Sequence, residues 1–157
     1  MSEARRPIEI YVDADACPVK DEVYKVAARY GLKTWVVANS FLQVPASRLV
    51  ERVIVDAGPD VADDWIAERV RPGDIVVTND IPLAERALKA GGQALAPTGR
   101  PFTENSIGAA IAHRALMEQL RSTGNILGGP SPFSRADRSQ FLQALDRMIV
   151  QARGRRV

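Results

Sequence analysis

Ile8-Glu9-Ile10-Tyr11-Val12-Asp13-Ala14-Asp15-Ala16-Cys17-Pro18 is the stretch that decides the fold. Ile8 to Val12 reads as a strand buried in a parallel sheet. Asp13-Ala14-Asp15 stands where that strand must stop, and Pro18 suits the first turn of a following helix. A second apolar run, Asp74-Ile75-Val76-Val77-Thr78, ends the same way in Asn79-Asp80. In open α/β sheets, ligands bind at the loops that leave the carboxyl ends of the strands. Carboxylates from distant parts of the chain are therefore expected to converge on one edge. Such a set suits Mg²⁺ or Mn²⁺ and phosphoryl transfer, because hard cations prefer oxygen ligands and bridge to substrate phosphates.

Outward from that stretch, strands and helices alternate. A helix is expected from Pro18 to about Tyr30, with Val19, Val23, Val26 and Tyr30 along one face and Gly31 as its stop. Strands follow at Lys33 to Ala38 and, after a polar loop with Pro45, at Arg52 to Val55. Gly58-Pro59 breaks the chain before a helix from about Asp60 to Val70, and Arg71-Pro72-Gly73 turns into the fourth strand. A helix from Ile81 to Ala90 and a fifth strand at Gln93 to Ala96 complete the alternation, which predicts an α/β fold with a parallel sheet and right-handed crossovers. Ile107, Ile111 and Ala115 mark one further helix, and Phe141, Leu145, Met148 and Ala152 mark another. The Gly/Pro-rich segment from Gly124 to Ser134 between them reads as an ordered connector or a loop covering the substrate.

A chain of 157 residues, 46% hydrophobic and 6% aromatic, fits one compact α/β domain, with its core over residues 7 to 150 and basic tails at Arg5-Arg6 and Arg153 to Arg156. The net charge of +2 gives only faint support for a nucleic-acid partner. Cys17 is the only cysteine, which excludes an intrachain disulfide. No stretch has the length or apolarity of a signal peptide or a membrane span, so a cytoplasmic protein without a membrane partner is expected. A single histidine, His113, excludes a His-rich zinc site and argues against Ser-His-Asp catalysis. The oligomeric state is left open.

Each acidic group also has a purely structural explanation. Asp15 would cap the following helix through its side chain. Asp60, Asp63 and Asp64 would sit in a helical first turn, where the macrodipole favours negative charge, although three carboxylates so close also repel one another. Thr78 or Asn79 would cap the next helix, with Asp80 in its first turn. Asp137 forms a Ser-x-x-Asp capping pattern with Ser134. Asp13 is the hardest to explain this way, since a carboxylate ending a buried strand is costly without a cation or donors. Cys17 reads as a small packed residue, and His113 as a helix-surface or packed one.

Asp13-Ala14-Asp15 after a hydrophobic strand resembles the opening motif of haloacid-dehalogenase-type phosphatases, in which the first Asp is the nucleophile and the second the acid/base. Val76-Val77-Thr78 resembles their second motif. In that family, however, the acidic metal motif follows the Ser/Thr motif and its lysine, whereas Asp60, Asp63 and Asp64 precede Thr78. This order makes the phosphatase reading the lesser one.

From Ile10 to about Leu145 the chain resembles the bacterial YaiI/YqxD family. The match is carried by Val12 to Lys20, Asp60-Val61-Ala62-Asp63, Asp74 to Ala84, Gly129-Pro130 with Phe133, and Asp137-Arg138-Ser139-Gln140-Phe141. The resemblance implies a three-layer fold like that of the PilT N-terminal (PIN) nucleases, with a mainly parallel five-stranded sheet in the order 3-2-1-4-5 and extra C-terminal helices. It further implies Asp13 and Asp80 as metal ligands and catalytic residues. Asp60 and Asp63 are implied at the helical acidic position, with Asp15, Asp64 and Asp137 as accessory groups. The expected activity is a Mg²⁺- or Mn²⁺-dependent phosphodiesterase, with RNA as substrate and Lys20, Asn79, Arg100 and Arg138 as candidate phosphate contacts. The alternative is a non-catalytic RNA- or nucleotide-binding module on the same fold.

Overall fold

Five parallel strands, β1 (Ile10–Asp13), β2 (Thr34–Ala38), β3 (Val50–Ile54), β4 (Ile75–Val77) and β5 (Gln93–Leu95), form one sheet in the order β3-β2-β1-β4-β5. They belong to a computed structural model that describes residues 6–15, 17–122 and 133–154. The strand order is the one implied by the family resemblance. Pairing sets Asp13 opposite Val37 and Val12 opposite both Val36 and Val77, so β1 and β4 end side by side at the sheet centre.

Successive strand residues face opposite ways. Ile10, Val12, Ile75 and Val77 face a layer made by α1 (Lys20–Tyr30) and α5 (Arg135–Gly154). There Phe141, Leu145 and Ile149 of α5 are fully buried, each contributing about 2 kcal/mol of apolar burial. Tyr11, Val37 and Val76 face the other layer, which holds α2 (Val61–Ala67), α3 (Ile81–Lys89) and the start of α4 (Glu104–Ser122). By the same alternation Asp13 and Thr78 fall on the α2/α3 side, which is how groups some 65 positions apart come to meet.

Several boundaries differ from the sequence expectation. α1 starts at Lys20, two residues after Pro18, and it ends as expected at Gly31, whose left-handed φ of 66° lets its N–H bond back to Ala28 O. β3 begins at Val50 and ends at Ile54, because its register on β2 runs Thr34 to Ala38 against Val50 to Ile54. α2 is shorter than expected, ending at Ala67. Its N-terminal flank, Asp60, has a left-handed φ of 69°, a conformation that Asp tolerates better than most residues.

Helix α5 buries the expected stripe of Phe141, Leu145, Met148 and Ala152. Helix α4 forms where Ile107, Ile111 and Ala115 mark it; Ile107 is buried, while Ile111 is 51% exposed and Leu116 50% exposed. The Ile107, Ile111, Ala115 pattern therefore marks a helix correctly without marking a core-facing one. Arg6 is not part of a loose basic tail, because its guanidinium pairs with Asp74. Residues 123 to 132, most of the expected connector, lie outside the described residues. Among the described residues no helix is long and apolar enough to cross a membrane.

Candidate functional site: an acidic cavity at the strand ends

At the carboxyl edge of β1 and β4 lies a cavity of about 440 Å³ lined by Asp13, Asp15, Cys17, Thr78, Asn79, Asp80, Ile81, Pro97 and Arg114. Its volume is in the range of small-molecule sites. Thr78, almost fully buried, organises the floor. Its hydroxyl donates to Asp13 Oδ2 at 2.8 Å and accepts from the backbone N–H of Asp80 at 2.9 Å, tying the end of β1 to the start of α3.

Asp80 is itself the N-cap of α3: its Oδ1 accepts from Leu83 N at 2.9 Å, with Pro82 in the first turn. This corrects the expectation that Thr78 or Asn79 caps that helix. One oxygen of Asp80 thus serves the helix while the carboxylate still lines the cavity.

The fold brings Asp63, in the first turn of α2, into the same electrostatic group. Its carboxyl is pushed up to about 7, first by burial, then by the charges of Asp80 and Asp13, by a hydrogen bond shared with Asp80, and by Asp60. Burial likewise raises Asp13; the Thr78 hydrogen bond opposes that shift, and the nearby Asp80 and Asp15 add to it. Asp63 thus feels Asp80, Asp13 and Asp60, and Asp13 feels Asp80, although these groups come from three segments of the chain. The donors are all hard oxygens, and their mutual repulsion is of the kind a divalent cation relieves, so the residues present fit Mg²⁺ or Mn²⁺ in chemistry. Among the described residues, no three acidic, cysteine or histidine side chains are already drawn around one point as a ligand set.

The other candidates fall elsewhere. Asp15 does not cap α1; it is exposed, and its Oδ2 accepts from Asn39 N at 3.1 Å at the cavity rim. Asp64 turns away to pair with Arg86 at 2.7 Å, linking α2 to α3. Asp137 and Ser134 form a reciprocal capping box, with Ser134 N donating to Asp137 Oδ2 and Asp137 N donating to Ser134 Oγ. Asp137 is therefore fully engaged at the start of α5.

Among the basic candidates, Lys20 Nζ donates to Cys17 O at 2.8 Å. Arg138 donates to Pro18 O at 2.6 Å, approaches Glu22 and stacks over Phe133, pinning the start of α1 to α5. Arg100 is exposed in the turn after β5 and does not line the cavity, whereas Asn79 does.

Cys17 is buried and its thiol is raised by that burial, the signature of a packed cysteine rather than a reactive one. His113 is exposed on α4. The residue that sequence reasoning missed is Arg114. Its signal was present: it follows Ile107 and Ile111 at i+7 and i+3, a charge that interrupts an apolar helical stripe.

The profile of a family described as "Uncharacterized BCR, YaiI/YqxD family" matches residues 11–151, which take in all five strands but for the first residue of β1. The chain belongs to the YaiI/YqxD family. It is similar to a UPF0178 protein of Caulobacter sp. (strain K31), with 66% identity over 92% of this chain and 95% of that one. Two proteins of the same description from Rhodopseudomonas palustris are also similar. The one from strain BisB5 is 61% identical over 96% of this chain and 92% of its own, and the one from strain HaA2 is 60% identical over 99% and 94%. No solved structure matches the chain.

Proposed function

We propose that this YaiI/YqxD protein is a Mg²⁺- or Mn²⁺-dependent phosphodiesterase whose substrate is RNA. The observation that carries this reading is the meeting of Asp13, Asp63 and Asp80, from the end of β1, the start of α2 and the cap of α3, in one electrostatic group at the edge where parallel sheets bind ligands. Asp13, Asp63 and Asp80 would hold the cation, with Asp60 at the margin. A divalent ion held by such a set lowers the pKa of bound water and offsets charge developing on phosphate oxygens.

The protein's own contributions are positional. Thr78 fixes the Asp13 carboxylate through its hydroxyl and fixes the Asp80 backbone through the same atom, so two acidic groups share one rigid anchor. The α3 cap restrains Asp80 further. Ile81 and Pro97 add apolar surface to the wall, which limits water around the carboxylates.

One observation favours the non-catalytic module as a second reading. Asp80 already uses an oxygen in its helix cap, and the carboxylates are not gathered as ligands beforehand. The haloacid-dehalogenase-type reading has less support, because no lysine lines the cavity among the described residues and Asp15 turns to Asn39.

The test is incubation of the protein with single-stranded RNA in Mn²⁺, with chelator and Asp13→Asn as controls. Metal-dependent cleavage that disappears in Asp13→Asn is the expected result. RNA binding without cleavage under any divalent ion would replace the enzyme by the binding module. Cleavage retained in Asp13→Asn would overturn the assignment of the site.

A further inference from the structure

Arg114 is the one cationic side chain among the described residues that line the acidic cavity. Helix α4 carries it there. Ile107 anchors the first turn of α4 in the core cluster beside α3, Ile111 lies one turn on, and Arg114 continues the same face. Past that anchor, α4 is mostly exposed.

The Arg114 side chain makes no hydrogen bond or ion pair with any described residue, although Asp13, Asp15 and Asp80 line the same cavity. Other arginines are engaged: Arg86 with Asp64, Arg138 with Pro18 O, and Arg69 with Trp65. A cavity lined by carboxylates repels a phosphate unless cations face it, and a guanidinium fork matches two phosphate oxygens.

We infer that Arg114 is a substrate-binding residue, taking a backbone phosphate of single-stranded RNA at the acidic cavity. The volume of about 440 Å³ suits one nucleotide unit rather than a duplex. The inference rests on the proposed phosphodiesterase reading for its choice of RNA, but the contact itself requires only an anionic strand entering the cavity. The competing role for Arg114 is that of an internal counter-charge to the carboxylates.

The experiment measures a fluorescent 2′-O-methyl oligouridylate, which resists cleavage, by anisotropy over a range of salt concentrations. The proteins are the wild type, Arg114→Gln and Arg114→Lys, each also titrated with Mn²⁺ by calorimetry and checked for fold by circular dichroism. Arg114→Gln is expected to bind the oligonucleotide about tenfold more weakly, with the salt slope reduced by about 0.7. Arg114→Lys is expected to recover the slope but only part of the affinity, because an ammonium keeps the charge and loses the fork. Mn²⁺ affinity is expected to stay equal or tighten in Arg114→Gln.

Equal oligonucleotide affinity and slope in wild type and Arg114→Gln would overturn the inference, as would absence of binding by the wild type. The two ideas fail separately. Mn²⁺ binding and cleavage without an Arg114 effect would remove the arginine contact and leave the enzyme. Arg114-dependent binding with neither Mn²⁺ binding nor cleavage would keep the contact and remove the enzyme.

Discussion

Two aspartates at opposite ends of the same pair of strands meet opposite environments. Asp74, just before β4, is fully buried and answered by the fold itself: the Arg6 guanidinium at 3.0 Å, Glu9 N at 2.9 Å and Arg71 N at 3.0 Å. Asp13, at the end of β1, has one hydroxyl donor, Thr78, and otherwise faces other carboxylates. A buried charge with a complete set of internal donors holds strands together. A group of carboxylates that no internal cation pairs keeps an electrostatic cost that a bound cation would relieve. The amino edge is thus neutralised from within, whereas the carboxyl edge keeps unneutralised charge, the place where the proposed cation would sit.

The most direct way to break this contrast is Asp13→Asn. If the carboxyl edge is the catalytic one, RNA cleavage in Mn²⁺ falls by about 100- to 1000-fold, while the thermal midpoint changes little because asparagine still accepts from Thr78. Gel-based rates beside a melting curve test both halves. A collapse of the melting midpoint with activity per folded molecule intact would reverse the assignment of the two edges.

Asp74→Ala is the mirror experiment. It leaves Glu9 N and Arg71 N without their acceptor and removes the carboxylate that answers the Arg6 charge, so urea unfolding is expected to show a loss of about 3 kcal/mol. Mn²⁺ affinity of the folded protein should not move.

A smaller effect sharpens the electrostatic half of the comparison. Asp63 titrates near 7 in the folded protein against an ordinary 3.8, so between those values the folded state keeps a proton that the unfolded chain has released. The Asp63 contribution to the stability of the metal-free protein therefore falls as pH rises from about 4 to about 7. Since Asp63 is partly exposed, solvent screening reduces the effect to about 1 kcal/mol. Asp63→Asn should flatten that pH dependence and stabilise the metal-free protein at pH 8, as read by urea unfolding in chelator. The same pH dependence in wild type and Asp63→Asn would show that Asp63 is not held up by its neighbours.

The smallest effect is expected at Arg86→Ala. Its pair with Asp64 is exposed on both sides, so a loss of no more than about 0.5 kcal/mol in unfolding free energy is expected. A loss several times larger would mean that the α2–α3 link helps to hold Asp63 beside Asp80.

The strand and helix alternation was legible because each buried strand is a short apolar run closed by turn chemistry. Gly31, Gly58-Pro59 and Arg71-Pro72-Gly73 all fall between elements. Element ends were less legible. β3 is positioned by its register on β2, a pairing between residues far apart in the chain that local propensity does not encode. Capping assignments divided in the same way. The Ser134–Asp137 box is local and was readable. By contrast, the capping of α3 by Asp80 rather than Thr78 depends on Thr78 being drawn to Asp13 from another strand.

The candidate site shows the same division. Asp13 and Asp80 were identifiable because each directly follows a buried strand, and parallel strands all point their carboxyl ends to one edge. Asp137 and Arg138 also stood in motifs of the family resemblance, yet they serve the α5 cap and the α1–α5 contact, since a motif does not distinguish packing from chemistry. Arg114 was passed over because an arginine on a helix is ordinary until the path of that helix is known.

By itself, the sequence determined the α/β alternation, the parallel sheet and the placement of acidic residues at strand ends, since all three follow from short-range apolar patterning and turn chemistry. Only the tertiary structure decided which carboxylates meet. It drew Asp63 in and let Asp64 turn away to Arg86, although the two are adjacent in the chain. Consecutive residues of a helix point about 100° apart, and only packing against the sheet decides which of them faces the site.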